Sequence, residues 1–101
     1  MGGRFAKSHA TDLNQPEIIK ALEVIGAKCY EVERPVDLLI EFRGIWIVLE
    51  VKNKKGGNKL TIDQVEFFKN TSAPAYVVRD PIEAIDAVQR AWRQAISVLA
   101  G

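Results

Sequence analysis

Residues 36–51 read VDLLIEFRGIWIVLEV, two runs rich in Ile, Leu, Val and Trp on either side of Arg43-Gly44. Apolar runs of this length punctuated by an X-Gly pair are the signature of two strands joined by a tight hairpin, so strands are expected over 36–42 and 45–51. A two-residue loop makes Phe42 face Ile45, and counting back along both strands then sets Asp37 directly opposite Glu50. Side chains alternate along a strand, so Lys52 shares the face of Glu50 while Val51 points into the other layer. Leu39, Trp46 and Val48 lie on the carboxylate face, which makes the acid pair one end of a largely apolar strip.

Working outward, Asn14 with Pro16 and Glu17 reads as a capping box that opens a helix. Ile18, Leu22 and Ile25 supply its apolar face, Ile19 lies beside them, and Gly26 supplies a left-handed stop. Residues 27–32, with Cys29, Tyr30 and Val32, suit a short strand. After the basic stretch KNKKGGNK (52–59), Thr61 and Gln64 form a second capping-box pattern, and Ile62, Val65 and Phe68 continue on one face of a helix ending near Thr71. A fourth strand is expected over 75–78. Asp80-Pro81 with Glu83 then starts a last helix reaching Leu99, with Ile82, Ile85, Val88, Trp92, Ile96 and Leu99 as its stripe. The order α-β-β-β-α-β-α predicts an α/β fold with a mixed sheet of about four strands flanked by helices.

The chain has 101 residues, 48% of them hydrophobic, so one compact domain over 13–101 is expected behind a tail at 1–12. Fourteen Lys and Arg balance 13 Asp and Glu, which argues against a polybasic protein but leaves room for an enzyme of nucleic acids whose metal ion supplies local positive charge. Cys29 is the single cysteine; it cannot form an internal disulfide and is expected to act as a small buried hydrophobe. No Cys and His set has zinc spacing, the first fifteen residues lack a secretory pattern, and no run nears the ~20 apolar residues of a membrane span. A reducing cytoplasm is the expected location.

Two carboxylates opposed on a sheet repel, and partial burial worsens the conflict unless a cation or a shared proton relieves it. Mg²⁺ suits such a place because it prefers oxygen ligands and takes only one or two carboxylates, leaving positions for water and phosphate oxygens. Asp37, Glu50 and the backbone carbonyl of Val51 form the expected ligand set. Lys52 beside them would stabilise charge on a phosphate in its transition state or help a nearby water lose its proton. Phosphodiester hydrolysis is the reaction class that follows.

Pro35-Val36-Asp37, Glu50-Val51-Lys52 and Leu60-Thr61-Ile62-Asp63-Gln64, with Asn14-Gln15-Pro16-Glu17 ahead of them, resemble the PD-(D/E)XK nuclease superfamily. Within it they look most like the small virus-type replication-repair nuclease (VRR-NUC) domains and their Holliday-junction-resolving relatives. The likeness spans roughly residues 12–80. In many members Pro directly precedes the Asp, whereas here Val36 stands between Pro35 and Asp37. The resemblance implies a restriction-endonuclease-like core binding Mg²⁺ or Mn²⁺, with Asp37 and Glu50 as ligands and Lys52 as the catalytic lysine. It further implies that Glu17 is a helix-borne acid reaching toward the metal, and Gln64 a residue that orients water or phosphate. The implied setting is a bacterial or phage-infected cell, with a helicase or other replication-repair protein as a candidate partner.

Glu-x-Lys alone is commonplace; its value comes from ending an apolar strand beside Asp37. Glu17 and Gln64 each have a second reading as the reciprocal member of a capping box. Lys54, Lys55 and Lys59 flank Gly56-Gly57 in a loop suited to phosphates, and Arg4 and Lys7 would add contacts from the tail, where His9 reads as surface. Trp46 and Trp92 are expected in the core or at an interface rather than as base-stacking platforms. The long stripe of the last helix suggests a homodimer presenting two active sites to branched or duplex DNA. The expected function is therefore a metal-dependent DNA endonuclease selecting structure over sequence. Alanine at Asp37 or Glu50 should abolish cleavage and leave the fold intact. Two alternatives stand beside it: a catalytically silent nucleic-acid-binding module, and a structural protein whose Asp37, Glu50 and Lys52 form an ion-pair cluster at a subunit contact.

Overall fold

A computed structural model describes residues 14–53 and 59–100. Its elements run α1 (Gln15–Val24), β1 (Lys28–Glu31), β2 (Leu38–Phe42), β3 (Ile45–Val51), α2 (Ile62–Asn70), β4 (Ala75–Val78) and α3 (Pro81–Ala100). The four strands form one mixed sheet in the order β1-β2-β3-β4, antiparallel except for the parallel β3–β4 pair. The expected α/β architecture and element order are therefore present. Among the described residues no helix is long and apolar enough to cross a membrane.

The hairpin has the expected two-residue loop. Arg43 and Gly44 both take positive φ, 51° and 90°, which matches the right-handed twist of the flanking strands. Phe42 pairs with Ile45 and Leu38 with Leu49, so the next step along both chains joins Asp37 to Glu50. β2 itself begins one residue later than that, at Leu38, because Val36 and Asp37 belong to the approach to the strand. The Asp37 carbonyl still accepts from the Val32 amide at 2.9 Å, extending the β1–β2 ladder by one bond.

The helices α1 and α3 pack on each other and cover one face of the sheet, α1 against β1 and α3 against β3 and β4. Ile18 and Leu22 of α1 meet Leu38, Ile40, Ile47, Leu49, Val51 and Val78 of the strands in a single buried cluster. α1 stops where Gly26 takes φ +95° and the amides of Gly26 and Ala27 return to the carbonyls of Glu23 and Leu22.

Two expectations are corrected. The Asn14 side chain makes no cap on α1, so Asn14 and Glu17 do not form a capping box; the Asn14 amide is spent on distant carbonyls instead. α3 turns Ala84, Ala87, Val88 and Ala91 to the core, where small side chains permit close approach to α1 and the sheet. Of its expected stripe, Ile85 and Trp92 are half-buried while Ile82, Ile96 and Leu99 are exposed. Trp46, expected in the core or at an interface, is 51% exposed, which leaves the interface half of that expectation. Cys29 is half-buried against the core, and burial, helped by Glu23 and Glu31, pushes its thiol up to about 11.

Candidate active site

The site begins where β2 runs out beside β3. At that point the Val51 amide has lost a strand partner, and Asp37 Oδ2 accepts its proton at 2.8 Å in place of a backbone carbonyl. The bond holds the Asp37 carboxylate against the end of β3, next to Glu50.

Glu50 projects from the sheet face opposite α1 and α3, yet it is only 3% exposed. Its Oε2 lies 3.2 Å from Lys52 Nζ. Its Oε1 is buried and has no hydrogen-bond partner among the described residues. Burial raises the pKa of Glu50 above the ordinary glutamate value, and the negative Asp37 raises it further. Lys52, through hydrogen bond and charge, and the side chain of Gln64 pull it back down. A buried carboxylate with one oxygen unsatisfied and a second acid beside it is costly in an isolated protein.

Gln64 reaches this place through local chemistry. Thr61 Oγ1 accepts from the Gln64 amide and Gln64 Oε1 accepts from the Thr61 amide, both at 3.1 Å, completing the expected capping box at the start of α2. With its carbonyl oxygen so occupied, Gln64 has its NH₂ group left, and its side chain lies near enough to Glu50 to lower that residue's pKa. Capping and site roles coexist in one side chain. α2 therefore stands on the Glu50 side of the sheet, and none of its residues is fully buried.

Asn14 was legible only as a helix cap, and the structure gives it another task. Its Nδ2 donates to the Lys52 carbonyl at 3.1 Å and to the Arg79 carbonyl, joining the N-terminus of α1 to the ends of β3 and β4. Both partners are acceptors, which fixes the amide orientation and leaves Oδ1 buried without a partner. Gln15, to which the sequence assigned no role of its own, is 2% exposed and donates to Glu31 Oε1 at 3.1 Å. No local pattern marks these bonds, because the partners lie 16 to 65 positions away.

Asp37, Glu50, Lys52 and Gln64 are thus brought together. Glu17 is exposed on the first turn of α1, and among the described residues no three His, Cys, Asp or Glu side chains gather closely enough to hold a metal. Lys59 is exposed ahead of α2. Arg4, Lys7, His9, Lys54 and Lys55 lie outside the described residues.

The donors present fit a hard divalent cation. Asp37 and Glu50 offer carboxylate oxygens, the orphaned Oε1 of Glu50 lacks only a positive partner, and Mg²⁺ commonly takes no more than two carboxylates from protein. No family model, no curated protein and no solved structure matches this chain.

Proposed function

We propose that this chain is a divalent-metal-dependent nuclease that hydrolyses phosphodiester bonds in DNA, with branched or junction DNA as its substrate class. The observation that carries the reading is Glu50: buried, paired on one oxygen with Lys52, unpartnered on the other, and pressed against a second acid. A closed ion-pair cluster would satisfy both oxygens, whereas a cation site leaves one for the cation.

Asp37 and Glu50 would hold Mg²⁺, or Mn²⁺ in its place, with the Val51 carbonyl as a third oxygen. When bound, the ion would polarise the phosphodiester and make water more acidic. Lys52, its Nζ 3.2 Å from Glu50 Oε2, would stabilise negative charge building on a phosphate oxygen. Gln64, immobilised by its cap, presents an NH₂ donor to a carboxylate, phosphate or water. Lys59 ahead of α2 supplies a phosphate contact that positions the backbone without reading sequence.

The test is cleavage of branched and linear DNAs in Mg²⁺ and Mn²⁺ by wild type, Glu50→Gln and Asp37→Asn. Asparagine is chosen over alanine because Asp37 also accepts the Val51 amide. Alanine there would orphan a buried N–H at about 1–3 kcal/mol. Loss of at least ~100-fold in rate is expected for each variant, in line with removing one electrostatic group from an active site. Full-rate cleavage by either one refutes the assignment, as does calorimetry that finds no Mn²⁺ binding to the wild type.

A further inference from the structure

We propose that the part of the sheet at the exposed rings of Tyr30 and Trp46 is a binding site for unpaired nucleotides, whose bases stack on the two rings. The face in question is the one that carries Glu50. Its cross-strand rows are Tyr30, Leu39 and Val48, then Lys28, Glu41 and Trp46. α1 and α3 cover the opposite face, and among the described residues Lys28, Tyr30 and Trp46 are exposed on the β1 side of this one.

Tyr30 is 48% exposed, and the two ring centroids lie 6.1 Å apart with the planes tilted by 44°. That geometry is neither face-to-face nor edge-on, so the rings do not consume each other's flat surfaces. Leu39 and Val48 lie half-buried in the row of Tyr30. The outcome is a contiguous patch with two aromatic faces on top, of the kind that marks a binding surface rather than a scattered exposed residue.

Three observations select an unpaired nucleobase as the occupant. First, the exposed positions are aromatic, and a π surface with a polar edge suits a flat heterocycle, at about 1–3 kcal/mol per stacked base. Secondly, charge is balanced within the patch: Lys28 faces Glu41 directly across the β1–β2 ladder. A balanced patch suits bases, while the cation Lys52 lies at the Glu50 end, where a backbone would run. Thirdly, Trp46 and Glu50 project from the same face of β3, four residues or about 13 Å apart. That distance equals at most about four nucleotides at the stacked spacing of ~3.4 Å, and fewer when the strand is drawn out. Bases inside a duplex hide their faces, so the rings require a strand that has left the helix. The link to cleavage rests on the nuclease reading; the stacking does not.

The probe is a fluorescein-labelled oligothymidylate twelve nucleotides long, in EDTA, compared with a blunt duplex of the same length. Trp92→Phe leaves Trp46 as the sole tryptophan, and its emission should be quenched by the single strand and not by the duplex. Trp46→Ala and Tyr30→Ala should each weaken single-strand binding by about 5- to 100-fold, and Trp46→Phe should keep most of the affinity. Circular dichroism checks that each variant is folded, and the quench in the Trp92→Phe protein needs no variant at Trp46. Equal affinity of the Tyr30→Ala/Trp46→Ala double variant and the wild type would overturn the proposal, as would no single-strand binding at all. So would a Trp46→Ala change that alters sedimentation but not oligonucleotide affinity, since a second copy would then be the occupant. A wild type that quenches but never cuts sinks the nuclease and leaves this site standing.

Discussion

Glu50 concentrates the energetic conflict of the molecule in one side chain. Its raised pKa means that the folded state holds the Glu50 proton more tightly than the unfolded chain does. The stability this contributes is complete below the ordinary glutamate value of 4.5 and is lost as pH rises through the raised folded value. In metal-free buffer, Glu50→Gln should therefore melt higher than wild type at neutral pH, with a gap that is small at pH 4 and widens upward. Melting curves from pH 4 to 8 in EDTA measure this, and saturating Mg²⁺ should narrow the gap by stabilising only the wild type. A gap independent of pH would show that burial of the charge is not the cause. The acid pair itself was legible in the sequence, because a two-residue hairpin fixes which residues oppose each other. The second function of Asp37, replacing a strand partner for Val51, was not, since it arises where β2 ends rather than where β3 does.

Among the elements, the β2–β3 hairpin governs the site because its register sets the separation of the acids. Arg43 occupies the left-handed region at φ 51°, a cost for any residue with a Cβ. Its guanidinium offsets that cost by lying 4.6 Å over the Trp92 ring and 5.2 Å over the Phe42 ring. Arg43→Ala should destabilise the protein by about 1 kcal/mol, lowering Tm by roughly 4–8 °C for a domain of this size. Arg43→Asn should recover part of the loss through its tolerance of the left-handed conformation. Equal melting of Arg43→Ala and wild type would show that the ring contacts carry no net weight. The α2 cap was readable from Thr61 and Gln64 alone, because a capping box spans only four residues. The reach of Gln64 to Glu50 depends on how the β3–α2–β4 crossover lands, which no local pattern encodes.

At the scale of the whole molecule, exposed apolar side chains among the described residues include the sheet face around Trp46, Ile62 and Val65 on α2, and a group at the end of α3. Ile96, Val98 and Leu99 are all exposed there, with Leu99 at 86%. A homodimer through this end is the expected assembly, since covering such a patch is a common reason for two-fold association. Sedimentation should show a concentration-dependent dimer that Val98→Glu with Leu99→Glu converts to monomer while circular dichroism stays unchanged. A wild type that remains monomeric at millimolar concentration removes this assembly. What the chain determined by itself is everything that depends on neighbours a few residues apart: the helices and strands, the hairpin register, the alternation that puts Asp37, Glu50 and Lys52 on one face, and the cap at Thr61. What only the tertiary structure decided is which surfaces are covered. Asn14 bonds to Lys52 and Arg79 across 38 and 65 positions, α3 turns its alanines inward, and Trp46 is exposed on the sheet face that carries the acids. Local propensity acts through backbone bonds a few residues apart, whereas burial is settled by the packing of elements distant in sequence, so the first is written in order along the chain and the second is not.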